Sequence, residues 1–165
     1  MKKLKVYLDT SIINFLYITD SPEYQKATEV FFKNVISKGI VEAYVSNIVI
    51  DEINQTKDNE YKNKLLKTFD NFKNIRTLVA ENNMMKEIAS LSENYIKNGI
   101  IPSTKVADSF HIAYSTLFQM DILLSWNFKH LANISKEQKI ITLNRTLGYY
   151  YPFRMANPLE VYFEE

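Results

Sequence analysis

Eight residues near the start of the chain, Leu4-Lys5-Val6-Tyr7-Leu8-Asp9-Thr10-Ser11, restrict the fold more than any other stretch. A short apolar run of this kind reads as a strand covered on both faces, and such strands belong to parallel sheets. It ends abruptly on a carboxylate and two hydroxyls, so Asp9 falls at the carboxyl edge, where open α/β sheets place their ligand sites. Thr10 or Ser11 can cap a helix begun by Ile12-Ile13-Asn14, which sets a helix N-terminus beside the carboxylate.

The later segments alternate in the same way. Ser21-Pro22 starts a helix that runs to about Ser37 and stops at Gly39, and Ile40 to Val45 is a second strand. Ser46 or Asn47 caps the helix Ile48 to Ile53, and a further helix spans Asp58 to about Phe72. A short strand follows at Ile75 to Val79. Asn82 or Asn83 opens a helix ending near Asn98-Gly99, Ser103 or Thr104 opens the next, and Asp121 to Ser125 is another buried strand. A last helix runs from about Ser135 to Leu147, and the aromatic tail Tyr149 to Phe153 reads as a packing or dimer surface. Strands alternating with helices give an α/β domain over residues 1–165: a central, mostly parallel sheet of four to five strands with helices on both faces.

Composition removes several classes of chemistry. The chain has no cysteine, which excludes disulfides, thiolate metal sites and a cysteine nucleophile. Its 20 basic and 19 acidic residues leave a formal charge of +1, so any nucleic-acid surface must be a local patch. Charges interrupt the apolar runs, and neither a signal peptide nor a membrane span is expected; the reading is cytoplasmic.

Three carboxylates occupy comparable places. Asp9 follows the first strand, Glu52 lies in the helix after the second, and Asp108 begins the helix before the strand at Ile122. Strand ends and helix starts in a parallel sheet converge on one edge. Three acids brought together there raise one another's pKa, a conflict that a divalent cation resolves. Oxygen ligands suit Mg²⁺ or Mn²⁺, and such an ion suits phosphodiester hydrolysis.

These residues carry a resemblance. Leu8-Asp9-Thr10-Ser11 with Asn14, Ser46 to Ile53, Ala107 to Ala113 and Leu123 to Asn127 resemble, in order and spacing, the four motifs of PIN-domain proteins of the VapC toxin ribonuclease type. Asn157-Pro158-Leu159-Glu160 is similar to the closing element of that family. The resemblance implies that Asp9, Glu52 and Asp108 are metal ligands, and that Ser46 precedes the ligand Glu52 by six positions. It further implies an RNA substrate cut to a 3′-hydroxyl and a 5′-phosphate, a homodimer, and a small antitoxin partner. The departure is Asn127, where the family usually has Asp. An amide can still ligate or orient water through its oxygen, but it brings no charge.

Each residue also has a plainer reading. Asp9 can be a helix cap, Asp51 competes with Glu52 for the inward position, and Asp108 can pair with Lys105 or His111. His111 reads as a core or supporting histidine rather than a general base. Thr10, Asn14, Ser46 and Ser125 are supporting donors or simple caps, Trp126 a stacking or packing residue, and Lys129 and His130 backbone contacts or solvated surface. The expectation is a Mg²⁺-dependent ribonuclease using Asp9, Glu52, Asp108 and Asn127. The alternative is a PIN-fold protein that binds RNA or a protein partner without cleaving. An aspartyl-phosphate hydrolase is a third reading, weakened because Ser11 stands where that chemistry wants a second Asp.

Overall fold

The computed structural model describes residues 2–164. Its centre is β1 (Lys5–Leu8), which pairs in parallel with β2 (Glu42–Ser46) on one side and β4 (Ile122–Leu124) on the other. β3 (Arg76–Leu78) and β5 (Arg154–Ala156) close the edges, so five parallel strands run in the order β3-β2-β1-β4-β5.

Because side chains alternate along a strand, β1 feeds two cores. Val6 and Leu8 join Ile12, Ile13, Phe31, Phe32, Ile36, Val49 and Leu65, from α1 (Thr10–Asn14), α2 (Pro22–Phe31) and its continuation, α3 (Asn47–Asn54) and α4 (Asn59–Asn71). Tyr7 points the other way. It joins Ile88, Leu91, Tyr95, Ile112, Tyr114 and Ile140 from α5 (Asn82–Lys97), α6 (Val106–Leu117) and α7 (Ile134–Thr146). Helices thus cover both faces, which is why strands this apolar are stable in a parallel sheet.

The helix boundaries follow local chemistry. Of the caps open to α1, Asp9 is the one used, its side chain accepting from Ile12 N, and Thr10 and Ser11 are not. Three other helix starts depart from expectation. Ser21 precedes Pro22 but makes no capping bond. α6 starts at Val106, because Ser103 and Thr104 lie in a turn closed by Lys105 N donating to Pro102 O (2.9 Å). α7 is capped by Asn133, ahead of the expected start. α2 continues as a π-helical turn, Phe32–Ile36, and stops at Gly39, whose φ of +63° favours glycine.

The aromatic tail leads into a strand that the sequence reading does not contain. Tyr150 is 73% exposed and Phe153 is buried, and β5 follows at once. Buried Glu137 on α7 holds it: Oε2 accepts from Met155 N (3.0 Å) and Oε1 pairs with Arg154 Nε (2.9 Å). Beyond β5, Val161 and Phe163 return to the first core, Phe163 lying 5.8 Å from Phe31. Residues 162–164 and 2–4 then line one groove of about 780 Å³ with Lys38, Gly39, Ile40 and Val41. No helix among the described residues is long and apolar enough to cross a membrane.

Candidate active site

The chain leaves β1 toward β2 on one side and returns at β4 on the other, so a crevice opens between the carboxyl ends of β1 and β4. Asp9 stands in it. Its backbone N–H extends the ladder to Leu124 O (3.2 Å), and its side chain is 4% exposed. Three donors fix the carboxylate: Ser11 Oγ (2.5 Å) and Ile12 N (3.3 Å) on Oδ1, and Ser125 Oγ (2.5 Å) on Oδ2. Ser11 also accepts from Trp126 N (2.8 Å), and Ser125 from Asn127 N (2.9 Å), so two hydroxyls tie the ends of β1 and β4 together around the acid. Burial pushes the Asp9 carboxyl above its usual range, against the opposing effects of the His111 charge and these hydrogen bonds.

Glu52 reaches the crevice from α3, while its rival Asp51 is exposed, which settles the helix register. Both of its contacts use Oε1: Thr10 Oγ1 donates at 2.7 Å and His111 Nε2 lies at 2.6 Å. Burial pushes its pKa up, but the His111 hydrogen bond and charge, together with Thr10, outweigh this and hold the carboxyl below its ordinary value.

His111 is buried, and its Nδ1 meets Tyr7 Oη (2.7 Å), which meets Ser46 Oγ (2.7 Å). Ser46 Oγ in turn accepts from Ile48 N (3.3 Å). Two proton arrangements satisfy this chain. With a neutral imidazole Ser46 donates to Tyr7 and Tyr7 to Nδ1; with an imidazolium Nδ1–H donates to Tyr7 and Tyr7 to Ser46. In both, Nε2–H donates to Glu52. The middle of β1 therefore sets the orientation of a histidine on α6, and through it a carboxylate on α3. By sequence alone Tyr7 is only one residue of a covered strand. The signal for more is its hydroxyl, which requires a partner once buried.

Asp108 lies in the first turn of α6. Burial raises its pKa, His111, His130 and Lys105 work against that, and the Glu52 charge adds to it. Neither Lys105 nor His111 hydrogen-bonds it; Asn127 does. Asn127 Oδ1 accepts from His130 N (3.0 Å), and a backbone N–H can only donate, so the amide orientation is fixed. Its Nδ2 must then face Asp108 Oδ2, to which it donates at 3.2 Å. Asn127 presents a donor to the acid, not a ligand oxygen.

The structure thus sorts these residues into two hydrogen-bonded chains, Ser46, His111, Glu52 and Thr10 in one and Asp9, Ser125, Asn127 and Asp108 in the other, with the His111 and Glu52 charges acting on Asp108. It places Asn14 elsewhere, with Oδ1 taken by Tyr61 Oη (3.3 Å) from α4. Lys129 is exposed on the rim. His130 is buried, and its Nδ1 is the one buried side-chain polar atom without a hydrogen-bond partner among the described residues. Burial holds its imidazole below the usual value.

Hard oxygen donors, two of them raised in pKa by burial, fit a divalent cation in chemistry. As the side chains stand, no group of three or more His, Asp or Glu among the described residues is disposed to hold a metal ion. Ser11, Ser125, His111 and Asn127 occupy the carboxylates instead.

Five parallel strands in this order, helices on both faces and acids at the carboxyl edge define a PIN-like α/β fold. The solved structure of VapBC2 from Rickettsia felis bound to a DNA fragment from their promoter is similar to the chain, with a TM-score of 0.55 at 14% identity. The match covers 93% of this chain and 98% of that one. At that identity the likeness shows the fold. No family model and no curated protein matches the chain.

Proposed function

We propose that the protein is a divalent-cation-dependent endoribonuclease in which Asp9, Glu52 and Asp108 would hold Mg²⁺ or Mn²⁺. The observation that supports this reading is the placement of three partly or fully buried carboxylates on the elements that flank the switch point, Asp9 directly after β1, Glu52 on α3 and Asp108 in the first turn of α6, with the Glu52 charge acting on Asp108. A bound cation supplies Lewis acidity toward the scissile phosphate and a water of lowered pKa. The chain supplies orientation. Ser11 and Ser125 fix the Asp9 rotamer, Thr10 and His111 that of Glu52, and Asn127 that of Asp108. Hydrolysis would break the P–O3′ bond and leave a 3′-hydroxyl and a 5′-phosphate. The VapBC2 likeness supports an antitoxin-like protein partner, and the family resemblance supports a homodimer.

The test is cleavage of structured and single-stranded RNAs with Mg²⁺, Mn²⁺ or EDTA. Asp9→Asn and Asp108→Asn should each lower metal-dependent cleavage by about 100-fold or more, since even outer partners of metal sites matter 10- to 100-fold. Cleavage that survives both substitutions would overturn the assignment.

The Asn127 geometry favours a second reading, a PIN-fold protein that binds RNA or a partner without cutting. Its amide gives Asp108 a neutral partner where a second carboxylate would demand a cation. Asn127→Asp discriminates the two. Increased cleavage identifies a site limited by its missing charge, and unchanged inactivity identifies one put to another use.

A further inference from the structure

Beside the acidic crevice lies a connected group of aromatic rings. Tyr24 of α2 stacks on Trp126 with centroids 4.6 Å apart, and Phe15 lies 5.7 Å from Trp126 and 6.0 Å from Tyr24. Phe128 completes the group, 5.6 Å from Tyr24 and edge-on to Trp126 at 6.0 Å. Trp126 is 4% exposed, with Nε1 donating to Thr28 Oγ1 (2.9 Å), so the one tryptophan is a packing residue. Phe128 is different. It is 44% exposed, supported from behind by two aromatics and next in sequence to Asn127, which touches Asp108.

Its surroundings are basic rather than apolar. Lys105 acts electrostatically on Asp108, and Lys105, Lys129 and Lys136 all act on His130. Lys136 bonds to Ile100 O, while Lys105 and Lys129 are exposed. A rigidly backed ring, the neighbouring Asp108, exposed Lys129 next in sequence and exposed Lys105 acting on Asp108 form the pattern used to bind single-stranded nucleic acid. Bases stack on the aromatic, and cations track the backbone. A purely protein-docking patch would continue the apolar surface instead of giving way to Asn127 and Lys129.

We propose that Phe128 is the platform for an unpaired base of a single-stranded RNA. The adjoining phosphate would enter the Asp9–Glu52–Asp108 crevice, and Lys105 and Lys129 would contact flanking phosphates. This deepens the nuclease reading and rests on it for the substrate class. Paired bases show no free face to such a ring, so the platform selects unpaired segments.

The experiment uses a fluorescein-labelled hexaribonucleotide, alone and annealed to its complement, with the full chain in EDTA at low salt. The wild type should bind the single strand at least tenfold more tightly than the duplex, with a change in Trp126 emission on binding. Phe128→Leu should weaken single-strand binding about tenfold, the scale of one base–aromatic stack. Phe128→Tyr should restore it, with unchanged melting temperatures excluding misfolding. No saturable binding by the wild type, equal affinity for duplex, or unchanged affinity in Phe128→Leu would each overturn the platform. So would unchanged affinity accompanied by a Phe128→Leu shift from dimer to monomer, which would assign the ring to a second copy of the chain. Parallel cleavage assays with Mg²⁺ separate the two proposals. Phe128-dependent binding without cleavage defeats only the nuclease reading, and cleavage indifferent to Phe128 defeats only the platform.

Discussion

Asn127 is the residue on which the charge of the crevice turns. Replacing it by Asp keeps the bond from His130 N but sets a carboxylate oxygen 3.2 Å from Asp108 Oδ2, where an N–H now sits. Like charges that close destabilise unless a cation lies between them. Asn127→Asp should therefore melt lower than wild type in EDTA and gain more from added Mn²⁺, a difference that thermal denaturation measures directly. Asp9 makes a second prediction, on pH. Its folded pKa is raised, so the folded state holds this proton more tightly than the unfolded chain, whose aspartate titrates near 3.9. The stability it contributes is full below that value and is lost as pH rises through the folded pKa. Asp108 acts with the same sign. In EDTA the melting temperature should fall over this interval, and Asp9→Asn should flatten the fall. An unchanged slope would contradict the burial argument. The three acids stand out in the sequence because Asp9 ends a strand run, Asp108 begins a helix and Glu52 lies in the helix that follows a strand. Which of Asp9, Thr10 and Ser11 caps α1 does not, since all three suit the role by type.

At the scale of elements, the strands with apolar runs are legible and the last one is not. β1, β2 and β4 show as continuous apolar stretches, whereas Arg154-Met155-Ala156 is three residues long and has no β-branched side chain. What makes it a strand is tertiary: pairing to β4 and the Glu137 carboxylate received from α7. Glu137→Ala leaves Met155 N buried without its partner and should cost about 1–3 kcal/mol in denaturant unfolding. Amide exchange should quicken across β5. Glu137→Gln keeps an acceptor and should cost less. The start of α6 escapes the sequence for a related reason. Ser103 and Thr104 have the composition of caps, but the turn from Pro102 to Lys105 takes them out of line.

For the molecule as a whole, α/β class, parallel sheet and two covered faces follow from alternation of strand and helix, and the fold agrees. The relay from Ser46 through Tyr7 and His111 to Glu52 does not follow, because it joins β2, β1, α6 and α3 across separations of up to 104 residues. Periodicity within one segment carries no trace of such a contact. The tail is similarly long-range. Removing residues 161–165 uncovers Phe31 and should lower stability by about 1–3 kcal/mol, the scale of exposing one large apolar side chain to water. Equilibrium unfolding should still show a single transition, and Phe163→Ala should reproduce most of the effect.

The groove shared by residues 2–4 and 162–164 has a practical corollary. All five strands point away from it, so the acids open at the opposite pole of the molecule. A tether, tag or neighbouring domain joined at either of these segments leaves the crevice facing outward, like a tool held by its handle.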